Sequence, residues 1–275
     1  MQITVPATSA NLGPGFDCMG LALNLSNTTH LTLEEPGQPV PDMIQATAEH
    51  FFHATGQSPR PFSWTIRGEV PSSRGLGSSV TVRLGVLAGL NALLQTGWSE
   101  QVLFEHCSQL EGHPDNAAPA VFGGFTLAQG TRVQRYDIAA ELHIVLLIPD
   151  FEVATEHART VLPQTLSLND AVTSAAHAAW IAAALASGNY SHLRGAFEDR
   201  IHQPYRAKLI PFFDTVRHAA QEAGALDAYI SGSGSTLAAI TQHDPQAVAD
   251  AMQSHCPDAQ VLVTQVANQG LQISA

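Results

Sequence analysis

The sequence predicts an α+β protein. Short apolar runs that read as strands are mixed with long helical patterns, and no regular strand–helix–strand repeat of a parallel sheet links them. Hydrophobic residues make up 45% of the chain and charged residues 13%, which supplies a packed core and excludes a disordered chain. At 275 residues the chain suits one large or two closely joined domains. The pattern of elements changes around residues 130–150, so the division is placed at 1–140 and 141–275.

Residues 3–5 and 21–25 read as short strands around a Gly/Pro/Asn-rich connector at 11–17, and 28–33 alternates as another strand. Asp42 is placed to cap a helix over 43–54, and 62–67 alternates again. From 78 to 94 apolar residues occupy several faces, with Arg83 the sole charge, which describes a helix buried on most sides. Ser99 caps a further helix to 110 or 111, stopped by Gly112 and Pro114. Residues 117–122 add a helical turn, and 125–128 a strand after Gly123-Gly124. The continuous run 142–148 reads as a central strand buried on both faces. Beyond it come helices near 168–186, 190–202 and 212–223, strands at 228–230 and 237–241, a helix over 245–255 and a last strand over 260–266. The Ala-rich stretch at 171–186, interrupted by Thr173, Ser174 and His177, reads as a buried helix and not a membrane span. Residues 36–41 form an ordinary loop.

The formal net charge of −12 and pI near 5.4 argue against nucleic acid or an anionic membrane as partner. Cys18, Cys107 and Cys256 are widely spaced and odd in number, so neither a disulfide framework nor a zinc motif follows, and a cytoplasmic setting is expected. The N-terminus lacks the basic and apolar regions of a signal peptide. Glu49, His50 and His53 share a helix but lack a further ligand, and read as a solvated face. The oligomeric state stays open, a homodimer included.

One stretch carries chemistry: Pro71-Ser72-Ser73-Arg74-Gly75-Leu76-Gly77-Ser78-Ser79. Two close glycines allow a tight turn and near approach of a ligand, and Ser78 and Ser79 then fall at a helix N-terminus that favours an anion. Taken alone, an ordinary turn and cap explains Gly-x-Gly-Ser-Ser equally well. It is not a Walker loop, because Gly77 stands where the lysine belongs and the chain's one lysine, Lys208, lies far off. Nor is it a dinucleotide fingerprint, since Val80 replaces the third glycine and no carboxylate occurs between Glu69 and Glu100. Phosphoryl chemistry here has to rest on backbone amides, hydroxyls, arginine and a metal ion.

Two further segments complete a pattern: Val5 to Asp17 (VPATSANLGPGFD) and Ser231-Gly232-Ser233-Gly234-Ser235-Thr236. With the central loop and Glu111-Gly112-His113-Pro114-Asp115-Asn116, they resemble the GHMP small-molecule kinases, and within them the homoserine kinase branch. The resemblance spans nearly the whole chain. It implies the GHMP kinase fold: an N-terminal lobe like domain 2 of ribosomal protein S5 and a ferredoxin-like C-terminal lobe. It also implies an ATP- and Mg²⁺-dependent kinase that phosphorylates the side-chain hydroxyl of homoserine in threonine biosynthesis.

By that resemblance Pro71, Arg74, Gly75, Leu76, Gly77, Ser78 and Ser79 hold the ATP phosphates, and Ser79 and Glu111 the metal. Asp17 meets the substrate ammonium. Arg159 and Arg206 clamp its carboxylate, with Thr155 and Gly232 alongside. Asn11, His113 and Asn116 line the acceptor hydroxyl, so that Asn116, His113 and Arg159 act on the reacting groups. Many GHMP kinases pair an Asp base with a Lys, yet no candidate motif here has a lysine. A loose phosphoryl-transfer transition state asks mainly for positioning and charge stabilisation, so Asp115 is read as orienting its neighbours' backbone, with a role as base the alternative. Ser72-Ser73, Val80-Thr81 and Ser235 depart from the family pattern. A kinase for another small alcohol, or a non-catalytic sensor of the same fold, are the competing readings; Asp17, Arg159 and Arg206 speak against the first, and Ser79 with Glu111 against the second.

Overall fold

The structure is a computed structural model that describes residues 1–35, 37 and 39–274; Pro36 and Gln38 of the 36–41 loop lie outside the described residues. Two antiparallel sheets frame it. The first contains β1 (Gln2–Ala10), β2 (Met19–Thr32), β3 (Ser63–Gly68), β4 (Phe125–Gln129), β5 (Arg132–Tyr136) and the C-terminal strand β10 (Gln272–Ser274). The second contains β6 (His143–Ile148), β7 (Asp227–Ile230), β8 (Leu237–Thr241) and β9 (Gln260–Gln265), in the order β7-β8-β6-β9. With α8 (Phe213–Glu222) before β7 and α9 (Pro245–Ser254) before β9, this lobe has the βαββαβ order and strand arrangement of a ferredoxin-like unit.

Burial explains the continuous apolar run that marks β6. Val145 and Leu147 face a core shared with α8 and α9, while Ile144, Leu146 and Ile148 face Leu21, Leu23 and Phe125 of the first sheet. A strand buried on both faces has no polar side to alternate with. In the N-terminal lobe, Ile3, Val5 and Leu31 pack under α1 (Asp42–Thr55), α2 (Ser78–Leu94), α3 (Glu100–Glu111) and α4 (Ala117–Phe122). The centre of α2 is apolar all round because helices and sheet surround it, as its composition predicts.

Several expectations need correction. The stretches 21–25 and 28–33 belong to one long strand, β2, which pairs with β1, β3 and β4 along its length. Asp42 does not cap α1; it is the helix's first residue, and Pro41 at the cap makes no side-chain bond. Ser99 does cap α3, accepting from the Val102 N–H at 3.3 Å. The helix α6 (Leu168–Ser187) is not buried: it lies on the surface, with Leu168 82% and Trp180 58% exposed, and only Ser174, Ile181, Ala184 and Leu185 are buried.

The 190–202 segment is no α-helix. After a 3₁₀ turn at Tyr190–Leu193 the chain breaks at Gly195, and the Asp199 carboxylate takes the N–H groups of Ile201, His202 and Gln203 at 2.7–2.8 Å. A side chain that accepts three nearby amides offers the backbone an alternative to helix, and it launches the short α7 (Gln203–Arg206). The helix α5 (Thr155–Thr160) and strands β5 and β10 carry too little pattern to be read from sequence. Strand β10 crosses back to pair with β1, so the last strand lies in the first sheet, with the N-terminal lobe.

Candidate active site

The three glycine-containing segments interlock. The Thr8 N–H donates to Leu76 O (3.1 Å), the Thr236 N–H to Arg74 O (3.2 Å) and the Ser231 hydroxyl to Gly75 O (2.7 Å). The Gly232 N–H closes the ring by donating to Ala10 O at 3.1 Å. The turn places Gly75 and Gly77 in the left-handed region, at φ 73° and 67°. A Cβ on Gly77 would collide with Thr8 Oγ1, and one on Gly75 with Ser231 O, so a side chain is barred at both positions. Gly77 caps α2, leaving the N–H groups of its first turn without helical acceptors.

A single cavity of about 540 Å³ runs from this turn to the C-terminal lobe. Its loop end is lined by Ser72, Gly75, Gly77, Ser78 and Ser79, and its far end by Asn11, Asp17, His113, Arg159 and Arg206. The volume is that of a small-molecule site.

At the loop end the Ser79 hydroxyl donates to Glu111 Oε2 at 2.8 Å. The Arg83 guanidinium approaches Glu111 Oε1 from the other side, Nε to oxygen 2.6 Å, without hydrogen-bond geometry: both atoms are buried and lack a hydrogen-bond partner. Hydroxyl and carboxylate are hard oxygen donors, and the unsatisfied Oε1 has a lone pair to give, so the pair fits a magnesium ion. Arg74 also lines the cavity, and its guanidinium is anchored beside it. Its Nε donates to Pro149 O (3.0 Å), and its other nitrogens pair with Asp150 (3.5 Å) and Glu152 (3.2 Å), tying the loop to the end of β6. Pro71 and Leu76 belong to the loop's backbone, Leu76 with its side chain in the core.

At the far end Arg159 on α5 grips Asp17 through two bonds, 3.1 and 2.8 Å. Arg206 on α7 is 2% exposed. It donates to Gly232 O (2.8 Å) and Ala158 O (3.2 Å) and meets His202 Nδ1 at 3.4 Å, yet no carboxylate salt-bridges it among the described residues. Burial, then the neighbouring Arg159, lowers its pKa to about 10, so it remains charged at neutral pH. The ring of Phe16 lies between the two arginines, 5.4 Å from Arg159 and 5.2 Å from Arg206. A buried cation without a counter-ion awaits an anion.

Between the two ends, His113 Nδ1 and the Asn116 amide both donate to Asp115 Oδ1, at 2.7 and 3.3 Å. The Thr8 hydroxyl holds the other side of Asn116, donating to its Oδ1 at 2.7 Å. Asp115 is 2% exposed and orients these two side chains, where neighbouring backbone was the expected target. A carboxylate only accepts here, so neutral His113 carries its hydrogen on Nδ1 with Nε2 as acceptor, while the protonated ring donates from both nitrogens. Burial works against the charged ring, but the Asp115 hydrogen bond and the charges of Asp115 and Asp17 outweigh it and raise the His113 pKa.

Asn11 is a staple: its amide donates to Gly232 O (3.0 Å) and accepts from the Asp17 N–H (2.9 Å). Thr155 meets Ser233 at 3.4 Å at the cavity edge. Sequence reading missed Thr8, Phe16, Arg83 and His202. Only Arg83 had a usable signal, being the one charge on α2 and one turn past Ser79.

Family models match two parts of the chain: GHMP kinases N terminal domain over residues 42–124 and GHMP kinases C terminal over 181–258. A homoserine kinase of Synechococcus sp. is 42% identical over 273 residues, covering 92% of this chain and 89% of that protein. One of Clostridium beijerinckii is 40% identical, covering 87% and 86%. The crystal structure of homoserine kinase from Cytophaga hutchinsonii superposes with a TM-score of 0.88 at 26% identity, covering 100% of this chain and 97% of that one. A mevalonate kinase shares the fold, with a TM-score of 0.73 at 11% identity, over 98% of this chain and 100% of its own.

Proposed function

The chain belongs to the homoserine kinase family of the GHMP kinases, and on that premise we propose that it transfers the γ-phosphoryl group of ATP to the side-chain hydroxyl of L-homoserine, yielding O-phospho-L-homoserine and ADP. One observation carries the substrate reading. The cavity that begins at the Gly75–Ser79 turn ends on Asp17, Arg159 and the unpaired, buried Arg206, which together match an ammonium and a carboxylate on one small molecule.

In the proposed complex the amides of the α2 N-terminus hold the nucleotide phosphates. Ser79 and Glu111 would hold Mg²⁺, which would neutralise phosphate charge. The amino acid enters between Arg159 and Asp17. Its carboxylate takes Arg206 and Arg159, and its ammonium takes Asp17, so Arg159 and Asp17 each exchange one opposite charge for another while Arg206 gains a counter-ion. His113 Nε2 and the Asn116 amide align the acceptor hydroxyl, while Asp115 and Thr8 fix their orientation. The hydroxyl oxygen bonds to the γ-phosphorus as the bond to the ADP oxygen breaks, and the hydroxyl proton leaves by way of a phosphoryl oxygen to solvent. No lysine is needed, because alignment and charge carry the step. A cytoplasmic setting accords with this chemistry. Among the described residues, no helix is long and apolar enough to cross a membrane.

A substrate panel tests the assignment. With ATP and Mg²⁺, L-homoserine should turn over, while its decarboxylated analogue 3-aminopropanol and neutral alcohols of the same length should not. Comparable rates on the neutral alcohols overturn the substrate reading.

A further inference from the structure

Arg83 belongs to none of the three glycine-containing segments, yet it lines the same cavity. It stands one turn after Ser79 on α2, so both side chains share a helix face. Its side chain is 19% exposed and that of Glu111 10%. Glu111 is thus engaged on both oxygens, by the Ser79 hydroxyl and by the Arg83 cation. The ion contact lacks hydrogen-bond geometry, and both facing atoms are left unsatisfied. It is therefore a pairing by charge, without the directional bonds that lock a structural ion pair.

A divalent cation at Glu111 would sit against this guanidinium, and two like charges so close, partly shielded from water, repel strongly. The arginine is on the cavity wall, and the triphosphate expected at the Gly75–Ser79 turn offers it another anion. We propose that Arg83 is a partner-exchanging positioning residue: counter-ion to Glu111 in the empty site, released when the metal takes that carboxylate, and then paired with the nucleotide's phosphates. In this role it supplies the positive charge that no lysine provides. The protein then holds free divalent cation weakly and metal–nucleotide strongly, so the metal arrives with the nucleotide. The inference rests on the placement of the metal at Ser79 and Glu111.

Mn²⁺ is the probe, its free concentration read by electron paramagnetic resonance on the full-length protein, with and without a non-hydrolysable ATP analogue. Arg83→Met should bind Mn²⁺ alone roughly tenfold more tightly than the parent, because one opposing charge is gone, and bind the Mn²⁺–analogue complex roughly tenfold more weakly. Arg83→Gln, closer in shape and polarity, is read in the same way if Arg83→Met fails to fold. Both shifts are required; unchanged affinity for Mn²⁺ alone, or for the complex, overturns the exchange. Glu111→Gln separates the underlying premise: it should abolish binding of Mn²⁺ alone, and if binding persists it is the metal placement that fails.

Discussion

Arg159 and Asp17 lie 142 residues apart and hold each other through a two-pronged ion pair in the empty cavity. The two groups assigned to opposite ends of a zwitterion thus neutralise one another until it arrives. Their side chains are 38% and 33% exposed, so solvent screens the pair and opening it costs little. Asp17→Asn should raise the KM for homoserine by an order of magnitude or more. It should leave the KM for ATP nearly unchanged, as steady-state kinetics with each substrate varied will show.

Arg206 differs because it is buried and has no carboxylate partner among the described residues. Removing one partner of a buried charge pair costs roughly 2–5 kcal/mol. Arg206→Ala should therefore raise the homoserine KM strongly with little effect on nucleotide binding. Equal weakening of ATP would place this arginine in the other half of the cavity.

Ser79 touches Glu111 and lies in the first turn of α2, on the cavity wall. Ser79→Ala should depress kcat and shift the magnesium dependence to higher concentration. A metal titration that superimposes on the parent's would remove Ser79 from the metal shell.

Gly77 has φ 67° and no room for a Cβ beside Thr8 Oγ1, the hydroxyl that holds Asn116. Gly77→Ala should cost about 1–2 kcal/mol for the left-handed backbone alone, with the collision added. We expect a lower melting temperature together with lost activity. A variant that melts at the parent's temperature and keeps its kcat would contradict this account of the turn.

His202 sets an acid limit on stability. The ring is fully buried, and its Nε2 donates to Gly13 O at 2.7 Å, leaving Nδ1 neutral toward Arg206. Burial, only partly opposed by Asp199, lowers its pKa to about 4. The unfolded chain takes up this proton near its ordinary value of about 6.5, while the folded protein resists down to about 4. Stability should therefore fall as pH drops through that window, by up to roughly 3 kcal/mol from this ring. Denaturant titrations between pH 7 and 4 will show it, and His202→Gln should flatten the slope.

Much of this protein is legible in its linear order. Gly75 and Gly77 between serines, Ser99 before α3, and the unbroken apolar run of β6 each act within a few residues, and local sterics or burial leave a local signature. The segments around Asp17, Ser79, His113 and Ser231 name the chemistry because their residue types are chosen by what they must touch.

Tertiary structure decided the rest. Only folding brings Arg159 onto Asp17, Arg83 onto Glu111, Thr8 onto Asn116, and β10 back to β1. None of these pairings has a period, since each joins elements far apart in the chain and depends on how the two lobes close. The same limit holds for α6, whose alanines fit a buried or an exposed helix equally; its neighbours alone determine which faces meet water. The sequence set which reactive groups are present, and packing between distant elements set which of them meet, because contact energy depends on distance in space while pattern records only distance along the chain.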